Sequence, residues 1–149
     1  MKIPRLPPLL LVLLLAITML VLDRALPQFR IHHPAFACLG VSLIALGALI
    51  VLASAGLFRL RRTTLNPFGE PATFVQDGFY RFSRNPMYLG MVLVLAGLGI
   101  WLGNLPALFF APVFVALMSR YYIAREEQLL DVRFGEAYRV YCKRVRRWI

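Results

Sequence analysis

Two short stretches carry the side chains able to do chemistry. The first runs Gly78-Phe79-Tyr80-Arg81-Phe82-Ser83-Arg84-Asn85-Pro86-Met87-Tyr88-Leu89-Gly90. The second is the pair Glu126-Glu127, followed by Phe134-Gly135-Glu136-Ala137-Tyr138. Pro86 lacks a backbone donor and fixes its own φ, which suits the first turn of a helix. Asn85 stands where a side-chain oxygen can cap free backbone donors. Arg81 and Arg84 therefore lie at the mouth of a helix, where the N-terminal dipole end favours anions. Tyr80 and Tyr88 add aromatic surface with a polar tip. Positive charge, free N–H groups and aromatic faces together suit a ligand that is part anion and part ring. The competing reading of this stretch is a positive-inside anchor with interfacial tyrosines. For Glu126-Glu127 it is an exposed helix start beside Arg120 and Arg125.

The rest of the chain is built to hold these stretches at a membrane. Of its 149 residues 60% are hydrophobic, the mean hydropathy is +0.69 and the net charge is +10. The apolar residues are gathered in long runs, so the sequence predicts an all-α integral membrane protein forming one domain over residues 1–149. Four spans are expected at about 7–24, 35–58, 87–103 and 105–123. The first is read as a retained span, since no small-x-small cleavage site follows Leu9 to Leu22. The second runs from Ala35 to Phe58 without a charge, and its small residues, Gly40 and Gly47 among them, allow close helix approach. Gly103-Asn104 leaves no room for a loop, so the last two spans form a tight hairpin, with Gly99-x-x-x-Gly103 as a close-packing face.

Charge sets the expected orientation. Arg59, Arg61, Arg62, Arg81 and Arg84 lie between the second and third spans, and the tail beyond Ile123 is rich in Lys and Arg. The 23–34 loop has only Arg24 and Arg30, and the hairpin turn has none. The positive-inside rule places both termini and the 59–87 loop in the cytoplasm, in a bacterial inner membrane. The cluster Lys143-Arg144 and Arg146-Arg147-Trp148 is expected to rest on anionic membrane lipid. Basic residues spread beside spans, without a nucleic-acid-binding module, give no support for a nucleic-acid partner. Cys38 and Cys142 fall on opposite sides of the membrane and cannot pair within the chain. His32-His33 is an adjacent pair, a spacing that rarely presents two imidazoles to one ion, and no metal site is expected. A cytoplasmic pocket must therefore be made from segments 59–87 and 124–149, which both adjoin the 88–123 hairpin. Phe74-Val75 is expected as a short extended piece dipping into it. The fourth span should continue as helix past Arg125 and Asp131, break at Phe134-Gly135, and resume from Glu136 to Arg144.

Taken in order, Arg84-Asn85-Pro86-x-Tyr88-x-Gly90, a hydrophobic hairpin, Glu126-Glu127 and Phe134-Gly135-x-x-Tyr138 resemble the isoprenylcysteine carboxyl methyltransferase family. Related membrane methyltransferases that act on phospholipid head groups share the pattern. The resemblance runs from near Thr63-Thr64 and Asn66-Pro67, which look like the bacterial members, to Trp148. It implies an S-adenosyl-L-methionine cofactor and an amphipathic small-molecule or lipid acceptor entering sideways between spans. Carried over residue by residue, the cofactor contacts fall on Tyr80, Asn85, Pro86, Met87, Tyr88 and Glu126, and through the 72–75 backbone on Phe74 and Val75. Arg84 and Glu127 take the catalytic positions, and Arg120 and Tyr122 the substrate positions. Two departures stand out. Asn85 replaces the family's usual His before Pro, and Tyr122 stands where the eukaryotic branch has an arginine for the substrate carboxylate. An amine head group or neutral hydroxyl is then the expected acceptor. Methyl transfer from a sulfonium needs no metal and no covalent enzyme intermediate. The Gly-rich strand-turn-helix of soluble cofactor folds is absent from this sequence. The alternatives are a membrane reductase binding a nicotinamide cofactor and a non-catalytic membrane protein with a degenerate pocket.

Overall fold

Prolines open the three principal helices at the amino-terminal side of the chain. Pro8 starts α1 (Pro8–Ala25), Pro34 starts α2 (Pro34–Leu60) and Pro86 starts α3 (Pro86–Leu102). Each stands where the missing N–H would have had no partner anyway. α4 (Leu105–Phe134) and α5 (Glu136–Arg144) complete the fold. The computed structural model describes residues 6–31, 33–61 and 74–149. Lys2, Arg5, His32, Arg62, Thr63-Thr64, Asn66-Pro67 and Gly69 lie outside the described residues, as does the amino-terminal part of the 72–75 stretch. Among the described residues there is no strand, and the one isolated bridge is antiparallel, between Arg30 and Asn104.

α1, α2 and α4 are each long and apolar enough to cross a membrane, with hydropathies of 2.1, 2.6 and 1.6. α3, with 17 residues, is a shorter apolar helix. Their outward faces remain apolar: Val21 is 62% exposed and Leu52 71% exposed, with Leu9, Leu13, Leu39 and Leu49 similarly bare. Apolar faces this extensive suit hydrocarbon rather than water as solvent. α3 occupies the centre, touching α1, α2 and α4.

Two glycine pairs set the α2–α3 contact. A Cβ built on Gly47 would stand 2.5 Å from the Gly90 carbonyl oxygen, and one on Gly40 would stand 2.7 Å from that of Gly97. Both helices repeat glycine every seven residues, in opposite order along the chain, so the antiparallel backbones touch at two levels. Gly99-x-x-x-Gly103 provides close approach as expected, with Gly99 against the Leu108 backbone across the hairpin and Gly103 against the Ile31 carbonyl. Gly103 also ends α3 in the left-handed region at φ 63°.

The turn end of the bundle holds a polar lock. Asp23, buried at the end of α1, accepts from Arg30 Nε at 2.6 Å and from Asn104 Nδ2 at 3.3 Å. Asn104 also donates to the Leu26 carbonyl at 3.3 Å, and the Ile31 N–H donates to the Gly103 carbonyl at 2.8 Å. Arg30 is thus part of the packing, where the sequence reading made it an orientation charge alone. His33 caps α2 through Nδ1, which accepts from the Ala35 N–H at 3.2 Å.

α4 is not uniform. Its Met118–Ile123 segment is π-helical, which widens the turn and changes which side chains share a face. Beyond it the helix runs to Phe134, and Gly135, at φ 51°, turns the chain into α5.

Candidate functional site

The site end of the bundle gathers the turn Gly78–Arg81, the start of α3, the second half of α4, α5 and the carboxyl tail. Tyr88 lies two positions inside α3 and is buried, because the start of this helix packs against α4. Its hydroxyl donates to Glu126 Oε1 at 2.6 Å. Glu126 is half-buried on α4, so it is not the exposed helix-start residue of the competing reading.

Glu127, the next residue, points to different partners. Arg84 Nη2 lies 3.2 Å from its Oε1, and Arg147 Nε donates to the same oxygen at 3.0 Å. Arg147 Nη2 closes the fork on Oε2. Adjacent positions on a helix face about a quarter-turn apart, so one carboxylate meets α3 and the other meets the loop and tail. Arg84 also donates from Nη1 to Cys142 Sγ, while its Nε is buried without a hydrogen-bond partner.

The tail is strapped onto the loop before α3. The Arg84 N–H donates to the Arg146 carbonyl at 3.0 Å, and Asn85 Nδ2 donates to the Arg147 carbonyl at 3.0 Å. Ser83 Oγ accepts from the Asn85 N–H at 3.1 Å. Asn85 therefore does not cap α3 as expected. Its side chain is turned back to the tail, which leaves the first N–H groups of the helix, at Met87 and Tyr88, without an intrahelical acceptor.

An aromatic cluster closes the other side. Phe74 packs against Tyr141, Tyr138 and Phe134 with ring centroids 5.0, 5.5 and 5.6 Å apart. Val75 beside it is buried. Tyr80 is buried on its turn, 5.4 Å from the Phe58 ring, and its carbonyl accepts the Tyr141 hydroxyl at 2.6 Å. Burial, and after it the Glu126 charge, raises the Tyr80 phenol far above its ordinary pKa. Burial pushes Tyr141 up to about 12. Both phenols remain neutral hydrogen-bonding groups at ordinary pH.

The structure thus brings together Phe74, Val75, Tyr80, Arg84, Asn85, Pro86, Tyr88, Glu126 and Glu127, with Met87 half-buried at the same helix start. Arg120 stands apart from this group, whereas Tyr122 shares the bundle-core cluster with Tyr88. Arg120 is exposed, and Tyr122 is buried in the bundle core with its hydroxyl donating to the Leu6 carbonyl at 2.7 Å. Both sit in the π-helical turn, where α-helical spacing to Glu126 no longer holds.

Sequence reasoning missed Tyr141, Cys142, Arg147 and Trp148. Arg147 and Trp148 hydrogen-bond to Glu127 and to Ser119 Oγ, the latter at 3.2 Å, partners the sequence reading did not give them. Their signal was hidden, because a basic tail after a span reads as a topology determinant.

The model of one protein family, described as phospholipid methyltransferase, matches residues 36–137. The match runs from α2 to the first residues of α5 and so stops short of Tyr141, Arg147 and Trp148. A relative from Haemophilus influenzae, described as an uncharacterized protein, is 41% identical over 63 residues, which is 42% of this chain and the whole of that relative.

Proposed function

The chain belongs to the phospholipid methyltransferase family, and from that premise we propose that it transfers a methyl group from S-adenosyl-L-methionine to an amphipathic acceptor. The reading is carried by one observation: the Tyr88–Glu126 hydrogen bond joins the start of α3 to α4 inside a largely buried, aromatic-walled site. The donor set suits the cofactor. Arg84 keeps a buried, unpartnered Nε, a ready donor for a carboxylate. The free N–H groups at the start of α3 favour the same negative charge. Glu126 can accept from an ammonium or a ribose hydroxyl, and the Tyr80 and Tyr88 rings offer faces to adenine.

When bound, S-adenosyl-L-methionine supplies an activated methyl on a sulfonium, so the protein's task is placement and exclusion of water. Pro86, Tyr138 and the strapped tail keep bulk water from the start of α3. Both Glu127 oxygens are already taken by arginines. Glu127 therefore acts through Arg84, holding the guanidinium in place, as a positioning residue rather than a proton acceptor. The acceptor enters from the bilayer, and both termini face the cytoplasm.

Titrating detergent-purified protein with S-adenosyl-L-methionine, its demethylated product and NADPH tests the reading. Saturable binding of the first two, with none of the third, is expected. Binding of NADPH alone would transfer the site to a reductase, and binding of none would leave a pocket without cofactor chemistry.

A further inference from the structure

Residues 145–148 leave α5 and cross the site end of the bundle outside any helix. Val145, at φ −122° and ψ 128°, is extended, while its N–H still donates to the Tyr141 carbonyl at 2.9 Å. Its side chain is buried in the cluster of Tyr138 and Tyr141. Beyond Val145 the segment is held by other elements. The Arg146 carbonyl accepts from the Arg84 N–H, and the Arg147 carbonyl from Asn85 Nδ2 and, at 3.4 Å, from the Ser83 hydroxyl. The Arg147 guanidinium is forked on Glu127, and Trp148 Nε1 donates to Ser119 Oγ in the π-helical turn. The half-buried indole packs against the core cluster that contains Tyr88 and Tyr122.

The other walls of the site are fixed independently of this segment. α5 is held by the Phe74 ring against Tyr138 and Tyr141, and by the Tyr141 hydroxyl on the Tyr80 carbonyl. Arg139 Nε adds a bond to Asp131 Oδ1 at 2.8 Å. α2 and α3 are locked by their glycine contacts. Helices satisfy their backbone groups internally, whereas residues 146–148 depend on groups across a gap. Local opening draws on segments with exposed backbone hydrogen bonds and little buried apolar surface. Arg146 is exposed, and Arg147 and Trp148 are half-buried. The segment closes over the residues leading into α3, beside the Met87 and Tyr88 N–H groups that have no intrahelical acceptor. Tyr88 itself is buried, so a solute from water must displace part of the wall to reach it.

We propose that residues 146–148 form a strap that swings about Val145 and admits solutes from water to the start of α3, with Trp148 as its latch on Ser119. Val145 is the pivot because its N–H and side chain stay with α5 when the later bonds break. Opening releases the Arg84 N–H and Asn85 Nδ2 together, so the motion that clears the way also frees two donors beside the helix start. Arg84 keeps its bond to Glu127 throughout, because that pair does not involve the strap. The inference rests on the proposed methyl transfer only in making S-adenosyl-L-methionine the solute admitted.

The test uses heavy water and N-ethylmaleimide, neither of which needs the cofactor, so its failure leaves the methyltransferase reading standing. Met87→Cys puts a thiol at the half-buried start of α3. Full-length protein in detergent is treated with the maleimide, and adducts are mapped by peptide mass spectrometry, with the exposed Cys38 as internal reference. Adding Trp148→Ala should speed labelling at position 87 about tenfold and leave Cys38 unchanged. Deuterium exchange should rise in the same variant across residues 83–86 and 145–149 together, and stay at the wild-type level in α5 and in the interior of α3. Trp148→Phe keeps a ring but loses the Nε1–H bond, so it should fall between the two and serves if the alanine variant elutes as aggregate. Labelling at position 87 that is unchanged in both Trp148 variants would overturn the strap. Exchange in α5 rising in step with the tail would overturn it too, since the carboxyl region would then open as one body.

Discussion

Removing the Glu126 carboxylate is the sharpest probe of the site. In Glu126→Gln the side chain keeps its size and a carbonyl oxygen able to accept from the Tyr88 hydroxyl, now 2.6 Å from Oε1. What is lost is the charge. A hydrogen bond to a charged group contributes about 1.5–3 kcal/mol where a neutral one contributes about 1. If Glu126 receives an ammonium or ribose hydroxyl, Glu126→Ala should weaken S-adenosyl-L-methionine binding by roughly ten- to 150-fold. Glu126→Gln should weaken it by a smaller factor, because the amide still accepts. Isothermal titration in detergent reads both values, and size-exclusion elution checks that each variant remains folded. Tyr88→Phe completes a double-mutant cycle. Because Tyr88 orients the carboxylate, the Glu126→Ala/Tyr88→Phe protein should bind no worse than Glu126→Ala alone. Unchanged cofactor affinity in Glu126→Ala would refute the reasoning and return this residue to a structural role.

Other consequences are as direct. Gly47→Leu places a side chain where a Cβ alone stands 2.5 Å from the Gly90 carbonyl oxygen, so it should separate α2 from α3 and give aggregated material on elution, whereas Gly56→Leu should not. Arg147→Ala leaves Glu127 to Arg84 alone and should lower kcat with little change in protein yield, with Arg147→Lys recovering only part because it cannot form the two-toothed contact. The Tyr141 phenol, held at about 12 against about 10 in an unfolded chain, contributes stability fully present below pH 10 and lost as pH rises through 12. Thermal stability in detergent should therefore decline over that window, and less steeply in Tyr141→Phe; equal slopes would contradict the assignment. A cysteine placed at Gln28 should react with an impermeant reagent on intact cells while one appended after Ile149 should not; the reverse pattern would invert the proposed orientation.

The sequence alone determined the class of molecule, the helices and half of the site. Runs such as Ala35 to Phe58 admit one physical solution, since backbone polar groups in hydrocarbon must be satisfied within the segment. Gly135 and Gly103 marked helix ends because both bends need a backbone conformation that side chains resist. The ordered motif around Arg84, Tyr88 and Glu126 was legible because its pieces flank one hairpin, and a hairpin brings its two open ends together whatever its exact packing.

Only the tertiary structure decided the partners of those residues. Asn85 looked like a cap, but the tail offered its side chain a better-placed carbonyl at Arg147. Arg147 and Trp148 read as lipid anchors along the chain, and only folding over the loop showed Glu127 and Ser119 as their partners. The π-helical turn at Met118–Ile123 reset the spacing between this segment and Glu126, leaving Arg120 exposed while Tyr122 joined Tyr88 in the bundle core, and no 3.6-residue periodicity registers such a change. The pairing of Gly40 with Gly97 and Gly47 with Gly90 needs two helices to be laid side by side before either repeat means anything. Ser54 is the limiting case. As a letter in an apolar run it is one more small residue, and only the absence of an acceptor around its buried hydroxyl sets it apart. Covalent preference and solvent act on each residue separately and can be read along the chain, but a hydrogen bond requires a second group whose position is set by the packing of every helix between them.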